Sequence, residues 1–314
     1  MKNKICLIFP YFGRFNNYFN LWLHSAEQND LIDFYVITDI KNLPSKKSKN
    51  VFFVNQSLAD IKNKARSVLG FECRLENPYK LCDYKPIYNL LFDEIVNDYE
   101  YWGYGDMDLI FGDLNSFVLS EKFKDKLCVF HLGHLSFFKN TTELNDLFTL
   151  VGLEKIKEVY STDKICFFDE REHSRYMLMK DKYPDKVFDD YLLIADVSPV
   201  YSFLWPPYEQ YKKLTPKKYV FHYKSGKISG YFLNDKNQLI EEKYVYIHIM
   251  RRKMINKVNN ENEFIICPNR FLDFNGEFSL KTYKKYRNID LYSNLIRFKD
   301  RAKNKLKRMI KHEK

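Results

Sequence analysis

Apolar residues along the first half of the chain fall into short unbroken runs, separated by stretches with helical spacing. Residues 4–9 (KICLIF) form such a run and end at Pro10, the pattern of a buried strand. Residues 17–28 carry Tyr18, Leu21, Trp22 and Ala26 at three-to-four-residue spacing, which predicts a helix. Residues 33–38 (DFYVIT) and 51–54 (VFFV) predict the next strands, joined by a polar loop. Helical spacing returns at 60–69 and at 84–96, where Ile87, Leu90, Leu91 and Ile95 share a face. The segment 99–114, YEYWGYGDMDLIFGDL, precedes a further apolar strand at 127–131. Strands apolar on both faces, alternating with helices, predict an α/β fold with a mostly parallel sheet flanked by helices. In such sheets ligands bind beyond the C-terminal ends of the strands, so the loops there are the candidates for a site.

Beyond residue 135 the pattern loosens. Residues 144–151 read as helical, 220–233 as a hairpin around Ser225-Gly226, and 244–249 and 264–267 as strands. A polar, Asn-rich stretch at 256–263 marks an expected boundary between a catalytic domain at 1–255 and an extension at 256–314. In the last segment Leu291, Leu295, Phe298, Ala302, Leu306 and Met309 recur at helical spacing with Lys and Arg between them, an amphipathic basic helix over 291–314.

Charge changes this picture. The net charge of +10 invites a nucleic-acid reading, but residues 291–314 carry nine Lys/Arg against Asp300 and Glu313. That is +7 in 24 residues and leaves +3 for the other 290. The body is nearly neutral. A terminal helix with one apolar and one basic face suits an anionic membrane surface. Aromatic residues make up 17% of the chain, yet they lie inside apolar runs instead of alternating with Lys/Arg as on a base-stacking platform, which argues against nucleic acid. The apolar stretch at 5–9 is shorter than the ~7–15 residues of a signal peptide, and no run approaches the ~18 of a membrane span. The six cysteines are scattered without a C-x-x-C pair. The expectation is a cytoplasmic, reduced protein, peripheral on the inner face of the membrane.

The strongest chemical signal is Trp102-Gly103-Tyr104-Gly105-Asp106-Met107-Asp108. A D-x-D tripeptide alone is uninformative, since about one is expected by chance in a chain of this size. Here it follows a strand with two glycines and precedes an apolar run, which sets both carboxylates at a buried turn. Carboxylates there are costly without a cation, and Asp106 and Asp108 are spaced to share one hard divalent ion such as Mg²⁺ or Mn²⁺. Other candidates are His131 and His134, of which His131 reads as core and His134 as a ligand. The acidic pair Asp169-Glu170 follows an apolar run, with Asp189-Asp190 as its rival.

The segments KICLIFPYFG, DFYVITD and YWGYGDMDLIFGDL together resemble bacterial glycosyltransferases of the GT-A fold. They are most similar to polysaccharide-building enzymes related to the retaining lipooligosaccharide galactosyltransferases, over roughly residues 4–255. The resemblance implies that Asp106 touches ribose and metal, that Asp108 is the main metal ligand, and that His248 in YIHIMRRKM is the third ligand. It implies that Arg251, Arg252 and Lys253 behind His248 meet the diphosphate. That family's H-x-x-G and Lys-Pro patterns are not present here, which leaves open which of the three basic residues does so. Nucleotide binding then draws on Tyr11-Phe12-Gly13 and Thr38-Asp39 at two strand ends, and on Lys80, Asp83 and Lys85 ahead of the D-x-D strand; a turn or a cap is the plain alternative for each. His134 joins this donor-binding set. Asp169, Glu170 or Asp190 supplies a general base in an inverting enzyme or a polar group beneath the anomeric carbon in a retaining one.

The implied activity is transfer of a hexose, galactose or glucose by the resemblance, from a UDP-sugar to a hydroxyl of a lipid-linked or oligosaccharide precursor of a bacterial surface polysaccharide such as capsule or lipopolysaccharide, with Mn²⁺ or Mg²⁺. Two other classes compete: a nucleic-acid-binding protein using the basic helix, and a metal-dependent hydrolase. Two-metal hydrolases ordinarily use more Asp/His ligands than one D-x-D and one His.

Overall fold

The unbroken apolar run at the start of the chain forms β1 (Ile5–Pro10), buried on both faces through residue 9. The computed structural model describes residues 4–44, 48–171, 173–199, 202–205 and 217–288, with the single positions 295, 298, 299, 302 and 303. The chain divides into two compact units, Met1–Leu109 with Asp113–Asp190, and Ile110–Gly112 with Tyr191–Lys314. Residue 255, the boundary expected from composition, falls within the second unit.

In the first unit β1 is joined by β2 (Ile32–Thr38), β3 (Val51–Asn55) and β4 (Tyr101–Gly105). The next strand, β5 (Leu109–Phe111), belongs to a sheet of the second unit, and the first sheet is completed by β6 (Cys128–Val129), β7 (Leu135–Lys139) and β8 (Val187–Phe188). The order is β3-β2-β1-β4-β7-β6-β8, with β4 in the middle. Strands β3, β2, β1 and β4 pair in parallel, β7 pairs antiparallel with β4 and β6, and β6 pairs in parallel with β8. Six strands therefore run one way and β7 alone runs against them. The loops after β1, β2, β4, β6 and β8, and the loop before β7, consequently share one end of the sheet.

Helices cover both faces. Cys6 and Ile8 of β1 pack in a cluster with Tyr84, Ile87 and Tyr88, while Phe9 meets Trp22 of the helix Phe19–Glu27 edge-on at 5.1 Å. A side chain on β4 at Gly105 has no room, since a Cβ there would lie 2.5 Å from the Phe9 ring. The helix expected over 84–96 is broken into Leu81–Tyr84, a 3₁₀ turn at Lys85–Ile87, Tyr88–Leu91 and Asp93–Val96. Pro86 explains the break at its own position: it has no N–H to donate and its ring crowds the preceding turn.

The second unit holds two sheets. One is β5 with β13 (Tyr246–His248) at its centre and β9 (Ile194–Asp196) beyond. The other has the order β12-β11-β10-β15-β16-β14, formed by β10 (Val220–Lys224), β11 (Lys227–Leu233), β12 (Leu239–Tyr244), β14 (Ile255–Lys257), β15 (Glu263–Cys267) and β16 (Arg270–Asp273). Except for the parallel pair β14–β16, its pairings are antiparallel, and β13 pairs in parallel with β9, so the run of parallel strands read from the sequence forms in the first unit while the second holds only isolated parallel pairs among the described residues. The expected hairpin is β10–β11, whose turn residues Ser225 and Gly226 have φ of 45° and 76°, the mirror-image turn that matches strand twist. Of the expected helix at 291–314, positions 295, 298, 299, 302 and 303 are helical and exposed, and the rest lies outside the described residues. None of the six cysteines is in a disulfide.

Candidate active site

The loop after β4 carries the D-x-D, and one buried ammonium organises what surrounds it. Lys85, in the 3₁₀ turn that Pro86 imposes, is 6% exposed. Its Nζ lies 2.8 Å from Asp106 Oδ1, 3.2 Å from Asp169 Oδ2 and 2.7 Å from the Gly133 carbonyl. Three donors meet three acceptors, so the sequence expectation that Lys85 approaches phosphates gives way to an internal role. Burial acts to lower the Lys85 pKa, but the carboxylates of Asp106 and Asp169 outweigh it and hold the pKa well above the usual lysine value. The Asp106 N–H also donates to the His134 carbonyl at 3.0 Å.

Asp169 is the counterpart of this arrangement. Burial pushes its carboxyl up to about 7 against the pull of Lys85, with Glu170 and Asp106 adding to the rise. Its Oδ1 is buried and has no hydrogen-bond partner among the described residues. Glu170, the next residue, is exposed. Both side chains crowd Gly133: a Cβ there would sit 2.5 Å from Asp169 Oδ2 and 2.7 Å from Glu170 Oε1. The glycine thus lets the acidic pair approach the backbone between β6 and β7.

A second buried pair holds that loop. Lys80 Nζ lies 2.8 Å from Asp83 Oδ2 and donates to the carbonyls of Val159 and Lys164 at 2.8 and 2.6 Å. Asp83 in turn accepts the N–H groups of Cys166 and Phe168 at 2.9 and 3.0 Å. The expected nucleotide-binding role of Lys80 and Asp83 is therefore corrected. Lys80 has no donor left for a phosphate, and the pair pins residues 164–168, which lead directly into Asp169. The Cys82 Sγ and carboxylate oxygens of Asp83 and Asp169 lie within 4.8 Å of one another, and Asp83 already accepts from Lys80 and two amides.

The remaining first-unit candidates occupy the same end of the sheet. Tyr11 follows β1, its hydroxyl donating to the Arg14 carbonyl at 3.1 Å; burial and then the charge of Asp108 raise its pKa. Phe12 packs partly against the core and Gly13 is exposed. Thr38 is buried, its hydroxyl accepting the Ile40 N–H at 3.2 Å, and Asp39 is exposed. His134 is buried. His131, read as core, instead holds Nδ1 2.6 Å from Asp189 Oδ2 and is 19% exposed. Asp190 lies 3.7 Å from Lys122. The sequence missed the His131–Asp189 pair because β6 and β8 are two residues each, too short for periodicity to register.

In the second unit His248 ends β13, and its Nδ1 lies 2.8 Å from Asp196 Oδ1 at the end of β9. A carboxylate on one ring nitrogen fixes the tautomer and frames the other as a ligand or acceptor. Of the three basic residues that follow, Arg252 is buried and donates to the Ser198 and Ser202 carbonyls, whereas Arg251 and Lys253 are exposed.

The donor set of the first unit suits a hard divalent cation. Asp106 and Asp108 offer oxygens only, and Asp106 is anchored through Oδ1 yet still 38% exposed, both fixed and reachable.

The chain belongs to the family described as "Family of unknown function (DUF6625)", which matches residues 7–275. No curated protein matches it. Among solved structures it is similar to mouse xyloside xylosyltransferase 1 in its apo form, at 7% identity and a TM-score of 0.35 over 62% of this chain and 88% of that one. It is also similar to the galactosyltransferase LgtC in complex with donor and acceptor sugar analogs, at 12% identity and a TM-score of 0.33 over 61% and 75%. A third is the glycosyltransferase GlyE of Streptococcus pneumoniae TIGR4, at 11% identity and a TM-score of 0.32 over 62% and 46%.

Proposed function

We propose that the chain is a metal-dependent glycosyltransferase that moves a hexose from a UDP-sugar to a hydroxyl of a bacterial surface-polysaccharide precursor. The observation that carries this reading is the Lys85 hub: one buried ammonium ties the first Asp of the D-x-D to the Asp169-Glu170 loop at the ligand end of the sheet. A nucleoside diphosphate needs cationic compensation, which a divalent ion on Asp106 and Asp108 would supply. Tyr11 and Asp39 stand at neighbouring strand ends as the residues to hold the nucleoside. Asp169 Oδ1, buried and without a hydrogen-bond partner among the described residues, is assigned to a sugar hydroxyl, and exposed Glu170 to the face of the anomeric carbon. In the transfer, the acceptor oxygen bonds to the anomeric carbon. The bond from that carbon to the diphosphate oxygen breaks with its electron pair, and the acceptor proton passes to a carboxylate or the departing phosphate. The basic segment 291–314 would dock the enzyme on an anionic membrane that carries the acceptor.

The test is a panel of nucleotide sugars scored for Mn²⁺-dependent hydrolysis, with Asp108→Ala alongside. UDP with Mn²⁺ is expected to raise the melting temperature of the parent and not of the variant. No shift with UDP and Mn²⁺, together with a shift on a nonspecific oligonucleotide, would transfer the function to nucleic-acid binding.

A further inference from the structure

The D-x-D turn is gripped from a side that its own sequence does not reveal. Asn16 Nδ2 donates to the carbonyl of Met107, the residue between the two acids, at 2.8 Å and from 91 positions away. That carbonyl belongs to the peptide plane joining Met107 to Asp108. Because the peptide is rigid and planar, holding its oxygen fixes the direction in which the chain enters Asp108. Asp106 is held separately, through its N–H and through Lys85. The amide of Asn16 is therefore a contact that bears on how the second carboxylate is set relative to the first.

The other end of Asn16 is built into the loop after β1. Its Oδ1 accepts the Tyr18 N–H at 3.0 Å and its carbonyl accepts the Phe19 N–H at 3.3 Å, so it braces the turn that leads into the helix Phe19–Glu27, whose cap is Tyr18. The loop packs on that same helix: the Tyr11 ring stacks on Phe15 at 5.5 Å, and Phe15 stacks on Phe19 at 3.8 Å. After burial, the charge of Asp108 is the next cause raising the pKa of both Tyr11 and Tyr18, which fits an acid facing this loop.

We propose that Asn16 is a positioning residue that couples the β1 loop to the D-x-D turn, so that a divalent cation and a nucleoside diphosphate bind cooperatively. This rests on the functional reading above, in which the loop meets the nucleoside and the turn meets the cation. Ordering either element helps to order the other through this hydrogen bond, and the enhancement is reciprocal: the cation raises nucleotide affinity by the factor by which the nucleotide raises cation affinity.

Calorimetric titration of MnCl₂ alone, UDP alone and UDP with saturating Mn²⁺ measures that factor in the full chain. Asn16→Ser keeps an acceptor for the Tyr18 N–H but is too short to reach Met107. Its coupling factor is expected to fall about fivefold, the equivalent of one hydrogen bond. The melting temperature without ligands should stay close to that of the parent, which separates coupling from a merely structural contribution. Asn16→Thr, with the same cap and reach, replaces the serine variant if that variant does not fold. An unchanged factor in a folded variant overturns the proposal and leaves the functional reading intact. A parent protein in which Mn²⁺ does not enhance UDP binding overturns both.

Discussion

The ammonium of Lys85 lies 3.2 Å from the carboxylate of Asp169, and both side chains are buried. The same ammonium is closer to Asp106, at 2.8 Å, so one cation serves two acids. A site with one positive charge for two buried or half-buried acids is short of compensation until a cation or a proton arrives. Burial is what chiefly weakens the acidity of Asp169, and the neighbouring carboxylates of Glu170 and Asp106 add to it against the pull of Lys85.

A pH dependence follows from this. Burial sets the Asp169 carboxyl at about 7 in the folded protein, against an ordinary ~3.9 in an unfolded chain. The folded state therefore binds this proton more tightly, and its contribution to stability is full below about pH 4 and lost as pH rises through about 7, by up to ~1.4 kcal/mol per pH unit. Asp169→Asn removes the titration. In urea denaturation from pH 5 to 8.5, the stability of the variant relative to the parent is expected to increase up to about pH 7 and then level off. A constant difference across the range would show that Asp169 is ionised throughout.

The Lys80–Asp83 pair predicts a stability effect without a place in the chemistry. The two side chains are 1% and 0% exposed, so removing one leaves the other charged and buried. Lys80→Ala is expected to cost about 3–5 kcal/mol in equilibrium unfolding. Replacing both partners together should cost less than the sum of the single variants, which a double-mutant cycle measures. If Lys80→Ala were as stable as the parent yet weakened UDP binding, the lysine would belong to the nucleotide site after all.

The uneven charge gives a third expectation. Deleting 291–314 removes +7 from a chain of +10. The shortened protein is expected to leave anionic liposomes in a sedimentation assay while keeping its Mn²⁺-dependent response to UDP. The parent should itself be released by salt, because a basic face binds acidic headgroups through screened charges. Loss of the UDP response together with liposome binding would instead make the segment part of the fold.

Some of this was legible along the chain and some was not. Local patterning was sufficient for β1 and β2, where apolar runs report burial directly, for the existence of β3 though that strand is buried only at Val51, and for the β10–β11 hairpin, where Ser225-Gly226 satisfies the turn. It also located the D-x-D at the end of the strand that proves to be the middle of the sheet. What local patterning could not decide is where long polar side chains end. Lys80 and Lys85 look alike in sequence, five residues apart and both near acids. One is spent pinning 164–168, and the other is turned by the break at Pro86 onto Asp106 and Asp169. Asn16 carries no local signature, because its partner lies 91 residues away. The sequence by itself determined the strands, the turn chemistry, the acidic tripeptide and the basic tail, since each depends on neighbours within a few residues. Only the tertiary structure decided which charges meet. A buried ion or amide takes the partner that the fold brings within ~3 Å, and that distance is set by segments remote along the chain.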